Sequence, residues 1–168
     1  SAISAHGAAK RKNCQRNGCS KSDKPTAPMT GNAQYFFIIA KAAAEVADSV
    51  EAKYLVAFTQ SGDSARRLAR YRGSVPVLAF TTENSVRSQL SLTWGVETFL
   101  IDPVEHTDEM VRAVDEQLLR IGRVKEGELV VIVAGSPPGV PGSTNALRIH
   151  RMGDAINEVT PAYQRPVR

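Results

Sequence analysis

The chain has 168 residues, 42% of them hydrophobic and only 6% aromatic, which suffices for one domain with an aliphatic core. No apolar run approaches the ~20 residues that cross a bilayer, and the first residues lack the apolar centre of a signal peptide, so a cytoplasmic protein without a membrane partner is expected. The formal net charge of +4 sits in residues 1–30, where six lysines and arginines face Asp23 alone (+5, leaving −1 elsewhere), so the folded part has no basic excess to meet nucleic acid.

Residues 1–30 show no apolar period and read as a disordered, basic leader. Cys14 and Cys19 lie there with His6 nearby. A zinc site wants four ligands in paired short spacings, so these are expected to be free thiols rather than metal ligands. Asn32 to Val50 is alanine-rich, with Phe36, Phe37, Ala40, Ala44 and Ala47 near one helical stripe. Residues 54–59 form the first predicted strand. Arg66 to Tyr71 follow as a helix that Arg72-Gly73 ends.

Val75 to Phe80 reads as a second strand, with Pro76 tolerated near its start. Thr82 is the expected cap of a helix that carries Val86 and Leu90, runs to Trp94 and stops at Gly95. Glu97 to Ile101 is a third strand. Thr107 is expected to cap a helix through Ile121, with Met110, Val111, Val114 and Leu118 on one face. Leu129 to Ala134 is a continuous apolar, β-branched run, which implies burial on both faces. A Gly/Pro-rich loop, Gly135 to Asn145, leads to a last strand, Ala146 to Arg151. No clear period continues into residues 153–168.

Alternating strands and helices imply parallel βαβ units with helices on both faces of a sheet. The fold class is therefore α/β, a three-layer α/β/α sandwich around a five-stranded, mostly parallel sheet. The last connection is too short and irregular for a crossover, which makes the final strand antiparallel.

The stretch Thr59-Gln60-Ser61-Gly62-Asp63-Ser64 carries the strongest chemical signal. A strand ends in a turn rich in hydroxyl and glycine, and a helix follows. The first turn of a helix presents unpaired N–H groups and about half a positive charge. Gly62 allows close backbone approach to an anion, and Thr59, Ser61 and Ser64 add hydroxyl donors. The residues alone also fit a plain strand–helix turn, since Ser, Asp and Gly favour such positions. The loop Gly135 to Thr144 reads equally as a flap over a ligand or as a connection shaped by its prolines. His106 is expected on a surface loop and His150 in a structural or interfacial role.

The chain has no GxxxxGKS loop, GxSxG elbow, paired metal carboxylates or catalytic cysteine in the fold. Three function classes remain: a regulatory phosphate-binding domain, a small phosphate-handling enzyme, and an oligomerisation module that uses the edge Ala146 to Arg151.

Five motifs resemble the C-terminal domain of pyruvate kinase, most closely the actinobacterial type. They are Val56 to Leu68 followed by Arg70-Tyr71-Arg72; Pro76 to Thr81; Trp94-Gly95-Val96; Lys125-Glu126-Gly127-Glu128; and Gly135 to Gly139 with Gly142 to Asn145. The resemblance covers about residues 32–152, with residues 31–152 taken as the domain and 153–168 as a tail. It implies an effector domain in an enzyme that converts phosphoenolpyruvate to pyruvate in glycolysis. In that family the chemistry occurs in a (β/α)₈ barrel that uses Mg and often K. A barrel of about 250 residues does not fit in this chain beside the domain. The expectation is an isolated regulatory domain, inactive alone, with no catalytic residue and no cofactor of its own, behind a leader foreign to the family.

The same resemblance places an effector phosphate, from a sugar phosphate such as fructose 1,6-bisphosphate, on Thr59, Gln60, Ser61, Gly62, Asp63 and Ser64. It makes Arg66, Arg112, Gly139, Gly142 and Ser143 further effector contacts. Two departures matter. Asp63 stands where many effector-responsive relatives place a lysine or a hydroxyl. The arginine and tryptophan that usually grip a second phosphate are replaced by Val104 to Glu109, which has no tryptophan, so Arg112 is the only nearby cation. A monophosphate such as a hexose 6-phosphate is therefore expected. The family's domain also pairs subunits through its last strand and nearby helix, which implies a homo-oligomer.

Overall fold

Strands of five to eight residues alternate with helices as far as the strand Leu129–Gly135, and with the strand Thr144–Arg151 they assemble as one mixed sheet. The structure, a computed structural model, describes residues 31–136 and 143–157. The elements are α1 (Gly31–Ser49), β1 (Tyr54–Phe58), α2 (Asp63–Arg70), β2 (Val77–Thr81), α3 (Asn84–Leu90), β3 (Val96–Leu100), α4 (Thr107–Arg120), β4 (Leu129–Gly135) and β5 (Thr144–Arg151). The expected leader, the middle of the Gly/Pro-rich loop and the end of the tail lie outside the described residues.

The sheet order is β3-β2-β1-β4-β5. The first four strands are parallel, and β5 runs antiparallel to β4. Val56 sits opposite Leu78 on one side and Ile132 on the other. Strand periodicity then divides the core into two faces. Val56, Phe58, Leu78, Phe80, Val130 and Ile132 pack on α4 through Met110, Val111, Val114 and Leu118. Leu55, Ala57, Val77, Ala79, Val131 and Val133 pack on α1, α2 and α3. The three layers expected from the sequence are thus present.

The faces are filled differently. Alanines of the sheet meet Ala40, Ala43 and Ala47 of α1, so that helix lies close to the central strands. On the other face one helix covers the sheet, and bulk fills the remaining space. Phe58 stacks on Phe80 at 5.5 Å between ring centroids, and Phe80 on Phe99 at 5.1 Å. Each such pair is worth about 0.5–1.5 kcal/mol beyond burial of its area.

Several element ends differ from the sequence expectations. Helix α2 starts at Asp63, three residues before Arg66, because the Gly62 turn at φ 85° already sets the first helical turn. Helix α3 ends at Leu90, so Trp94 lies in a turn, 70% exposed, with the Arg72 guanidinium 5.3 Å from its ring centroid. Thr82 does not cap α3; Thr81 Oγ1 instead accepts the Glu83 N–H at 3.2 Å. Ahead of α4, the Glu109 carboxylate accepts the N–H groups of Glu105 at 3.1 Å and His106 at 3.4 Å, so the cap is built around His106 rather than Thr107. Packing continues past β5, where Met152 and Ala155 are buried in the α4 face.

Candidate functional site

The topology fixes where a ligand can sit. From β1 the chain moves through β2 to the edge at β3, then returns past β1 to place β4 on its other side. Helices α2 and α3 lie on one face of the sheet and α4 on the other, so the switch point falls between β1 and β4, and a crevice opens above their carboxyl ends. A cleft of about 260 Å³ occupies that position, just under the ~300–1,000 Å³ usual for small-molecule sites.

Its walls come from the ends of all five strands and from helices α1, α2 and α4. Thr59, Gln60, Ser61, Asp63 and Ser64 follow β1. Gly135, Ser143 and Thr144 close the side of β4 and β5. Thr81, Thr82 and Glu83 follow β2. Phe58, Phe80, Ile101 and Met110 form much of the apolar lining, with Phe36 contributed by α1. Aromatic and aliphatic surface beneath a rim of hydroxyls suits a ligand with one apolar face and several hydrogen-bonding groups.

The Thr59–Ser64 turn is shaped by its own hydroxyls. Thr59 Oγ1 accepts the Gly62 N–H at 2.8 Å, and Ser61 Oγ accepts the Asp63 N–H at 3.4 Å. Two of the N–H groups expected to face an anion are thus engaged within the loop. The hydroxyl hydrogens of Thr59 and Ser61 remain as donors. Ser64 and Ala65, in the first turn of α2, have N–H groups without an intrahelical acceptor. The Ser64 hydroxyl is buried and lies 2.6 Å from Thr144 Oγ1 at the start of β5.

Gly62 is favoured by its positive φ, and the Arg66 side chain packs against it. A Cβ there would lie 3.0 Å from Arg66 Nη1. The Arg66 guanidinium donates to Ser61 O at 3.0 Å and Gln89 Oε1 at 3.0 Å, and it pairs with Asp63 Oδ1 at 3.3 Å. It therefore sits behind the turn and is not part of the cleft lining.

The structure brings together Thr59, Gln60, Ser61, Asp63, Ser64 and Ser143 of the expected site. It places Gly62 in the turn but off the wall. Arg112, on α4, is not among the lining residues, and Gly139 and Gly142 lie outside the described residues. Thr81, Thr82 and Glu83 are additions. They follow β2 as Thr59 and Gln60 follow β1, so the switch-point rule applied to the predicted strand order would have found them.

The neck of the Gly/Pro-rich loop is closed tightly. A register shift between Ala134 and Gly135 leaves Asn145 as an extra residue in β5. The Asn145 side chain accepts the Ser136 N–H and donates to the Ser136 carbonyl, each at 2.8 Å. A Cβ on Gly135 would collide with Ser143 Oγ.

A second polar cluster lies away from the cleft. His150 Nε2 is 2.9 Å from Asp115 Oδ1, and Asp115 Oδ2 accepts the Ala155 N–H at 3.0 Å. Asp115 is fully buried and His150 is 3% exposed, so this histidine is built into the core. Among the described residues no group of three or more His, Cys, Asp or Glu is placed to hold a metal ion, and no helix is long and apolar enough to cross a membrane.

Residues 38–150 match the family model described as pyruvate kinase, alpha/beta domain. Over 117 residues the chain is 54% identical to pyruvate kinase of Mycobacterium tuberculosis, covering 70% of this chain and 25% of that protein. It is 49% identical to pyruvate kinase of Corynebacterium glutamicum over 117 residues, with the same shares of 70% and 25%. A crystal structure of a pyruvate kinase from Cryptosporidium parvum superposes with a TM-score of 0.65 at 24% identity, covering 76% of this chain and 24% of that one. The chain thus spans about a quarter of the length of these relatives.

Proposed function

The chain belongs to the pyruvate kinase alpha/beta domain family, and on that premise we propose that it is a regulatory domain that binds a sugar monophosphate in the cleft above β1, β2 and β4. The phosphate rests on the Thr59–Ser64 turn, the first turn of α2 and the hydroxyls of Thr59 and Ser61. Charge-assisted hydrogen bonds of this kind contribute about 1.5–3 kcal/mol each. Phosphoryl transfer between phosphoenolpyruvate and ADP belongs, in this reading, to the family's barrel domain as partner. The observation that carries the proposal is the position of a hydroxyl-rimmed cleft at the switch point of the sheet, beside the N-terminus of α2. The test is a melting curve with and without a millimolar hexose 6-phosphate. The ligand is expected to raise the melting temperature, and Ser61→Ala combined with Ser64→Ala to remove that rise. An unchanged wild-type melt would reject effector binding.

A second role, pairing of subunits, is favoured by one observation. Strand β5 is a sheet edge beside α1, and Ile149 on it is 48% exposed. An exposed apolar side chain on an open edge suits self-pairing.

A further inference from the structure

The cleft wall is acidic, although the ligand assigned to it above is an anion. Among the described lining residues the charged side chains are two carboxylates, Asp63 and Glu83. They are not equivalent. Asp63 carries its countercharge with it, because Arg66 Nη1 lies 3.3 Å from Oδ1. Glu83 is exposed, and among the described residues no ion pair or hydrogen bond engages its carboxylate. Its backbone is nevertheless fixed. The N–H donates to Thr81 Oγ1 at 3.2 Å, and the carbonyl accepts the Arg87 N–H at 3.0 Å to start α3. The side chain therefore springs from a rigid point on the β2 wall, next to the wall that carries the Thr59–Ser64 turn.

A carboxylate so placed does two things to a bound sugar phosphate. It is a strong acceptor for hydroxyl groups, since an ionised carboxylate offers acceptor sites and no donor. It also opposes any second anionic group. A doubly charged phosphate about 6 Å from one carboxylate in water loses roughly tenfold in affinity. No lysine or arginine among the described lining residues offsets this.

We propose that Glu83 is a specificity-determining residue of the cleft. It accepts hydrogen bonds from the hydroxyls of a sugar ring whose single phosphate rests on the Thr59–Ser64 turn, and its charge disfavours a sugar bisphosphate. The inference rests on the effector reading given above. It adds a residue outside the expected site, with a charge that decides between two ligand classes.

The experiment is a calorimetric titration of wild type, Glu83→Gln, Glu83→Lys and Ser61→Ala with three probes: glucose 6-phosphate, fructose 1,6-bisphosphate and inorganic phosphate. Wild type is expected to prefer the monophosphate over the bisphosphate. Glu83→Gln, which keeps the shape and removes the charge, should lower that preference about tenfold, and Glu83→Lys should lower it further. Ser61→Ala should weaken both sugar phosphates together and leave their ratio in place. A ratio unchanged within twofold in both Glu83 variants, while Ser61→Ala still weakens binding, would overturn the role of Glu83 and leave the effector reading standing. If none of the three probes binds wild type, the effector reading fails and the inference falls with it. Because Glu83 is exposed, its variants are expected to keep the wild-type melting temperature without ligand, so a change in ratio reports on the cleft.

Discussion

Strand β5 is tied to helices at both of its ends, and the two ties are chemically opposite. Near its C-terminal end His150 meets Asp115 of α4 in a sealed environment, where both carboxylate oxygens are used. At its start Thr144 meets Ser64 of α2 through two neutral hydroxyls on the cleft wall. The extra residue at Asn145 allows one strand to serve both sheet faces. Arg148, 3.5 Å from Asp108, and His150 point toward α4, while Leu147 packs on the α1–α3 side. Strict alternation would send Thr144 toward α4 as well. The bulge reverses the parity, and Thr144 reaches α2 instead. The sealed contact holds the fold. The contact at the cleft is a single neutral hydroxyl pair, 2.6 Å long, between two side chains of the cleft lining.

This contrast sets the order of the expected effects. Asp115→Ala removes the buried carboxylate that His150 Nε2 and the Ala155 N–H share, and it should cost about 3–5 kcal/mol in urea unfolding. A loss under 1 kcal/mol would show that the cluster is not what anchors β5. Thr144→Val removes a hydroxyl at nearly constant volume, and it should cost only about 1 kcal/mol by the same measurement. It should also change the response to a hexose 6-phosphate, because Ser64 loses its partner; an unaltered ligand-induced melting shift would separate Thr144 from the site. Asp63→Ala removes an exposed ion pair and should move stability by less than about 0.5 kcal/mol. The same variant removes a negative charge from the cleft wall, so inorganic phosphate should bind several-fold more tightly in titration. Equal affinity would place the Asp63 charge outside the range of the bound anion.

Much of this architecture is legible in the residues. The run Leu129 to Ala134 marks a strand buried on both faces, and the short link to Ala146 marks an antiparallel neighbour; β4 and β5 are so arranged. The family follows from motifs in the right order, and the match over residues 38–150 agrees. Local reading is weaker at element ends. Thr82 and Thr107 look like caps, yet the competing acceptors are Thr81 and Glu109, one turn or less away. Ser64 looks like an outward hydroxyl because its partner, Thr144, lies 80 residues later.

By itself the sequence determined the layers, the strand directions and the turn after β1, because strand and helix periods are local and short connections leave few topologies. Only the tertiary structure decided which residues face one another above the sheet. It gave the Thr59–Ser64 turn its acidic neighbour Glu83, tied Arg66 behind the turn, and brought Thr144 to Ser64. Those relations depend on where separate strand ends converge and on one bulge that reverses a side-chain alternation, and neither is encoded within any single stretch of chain.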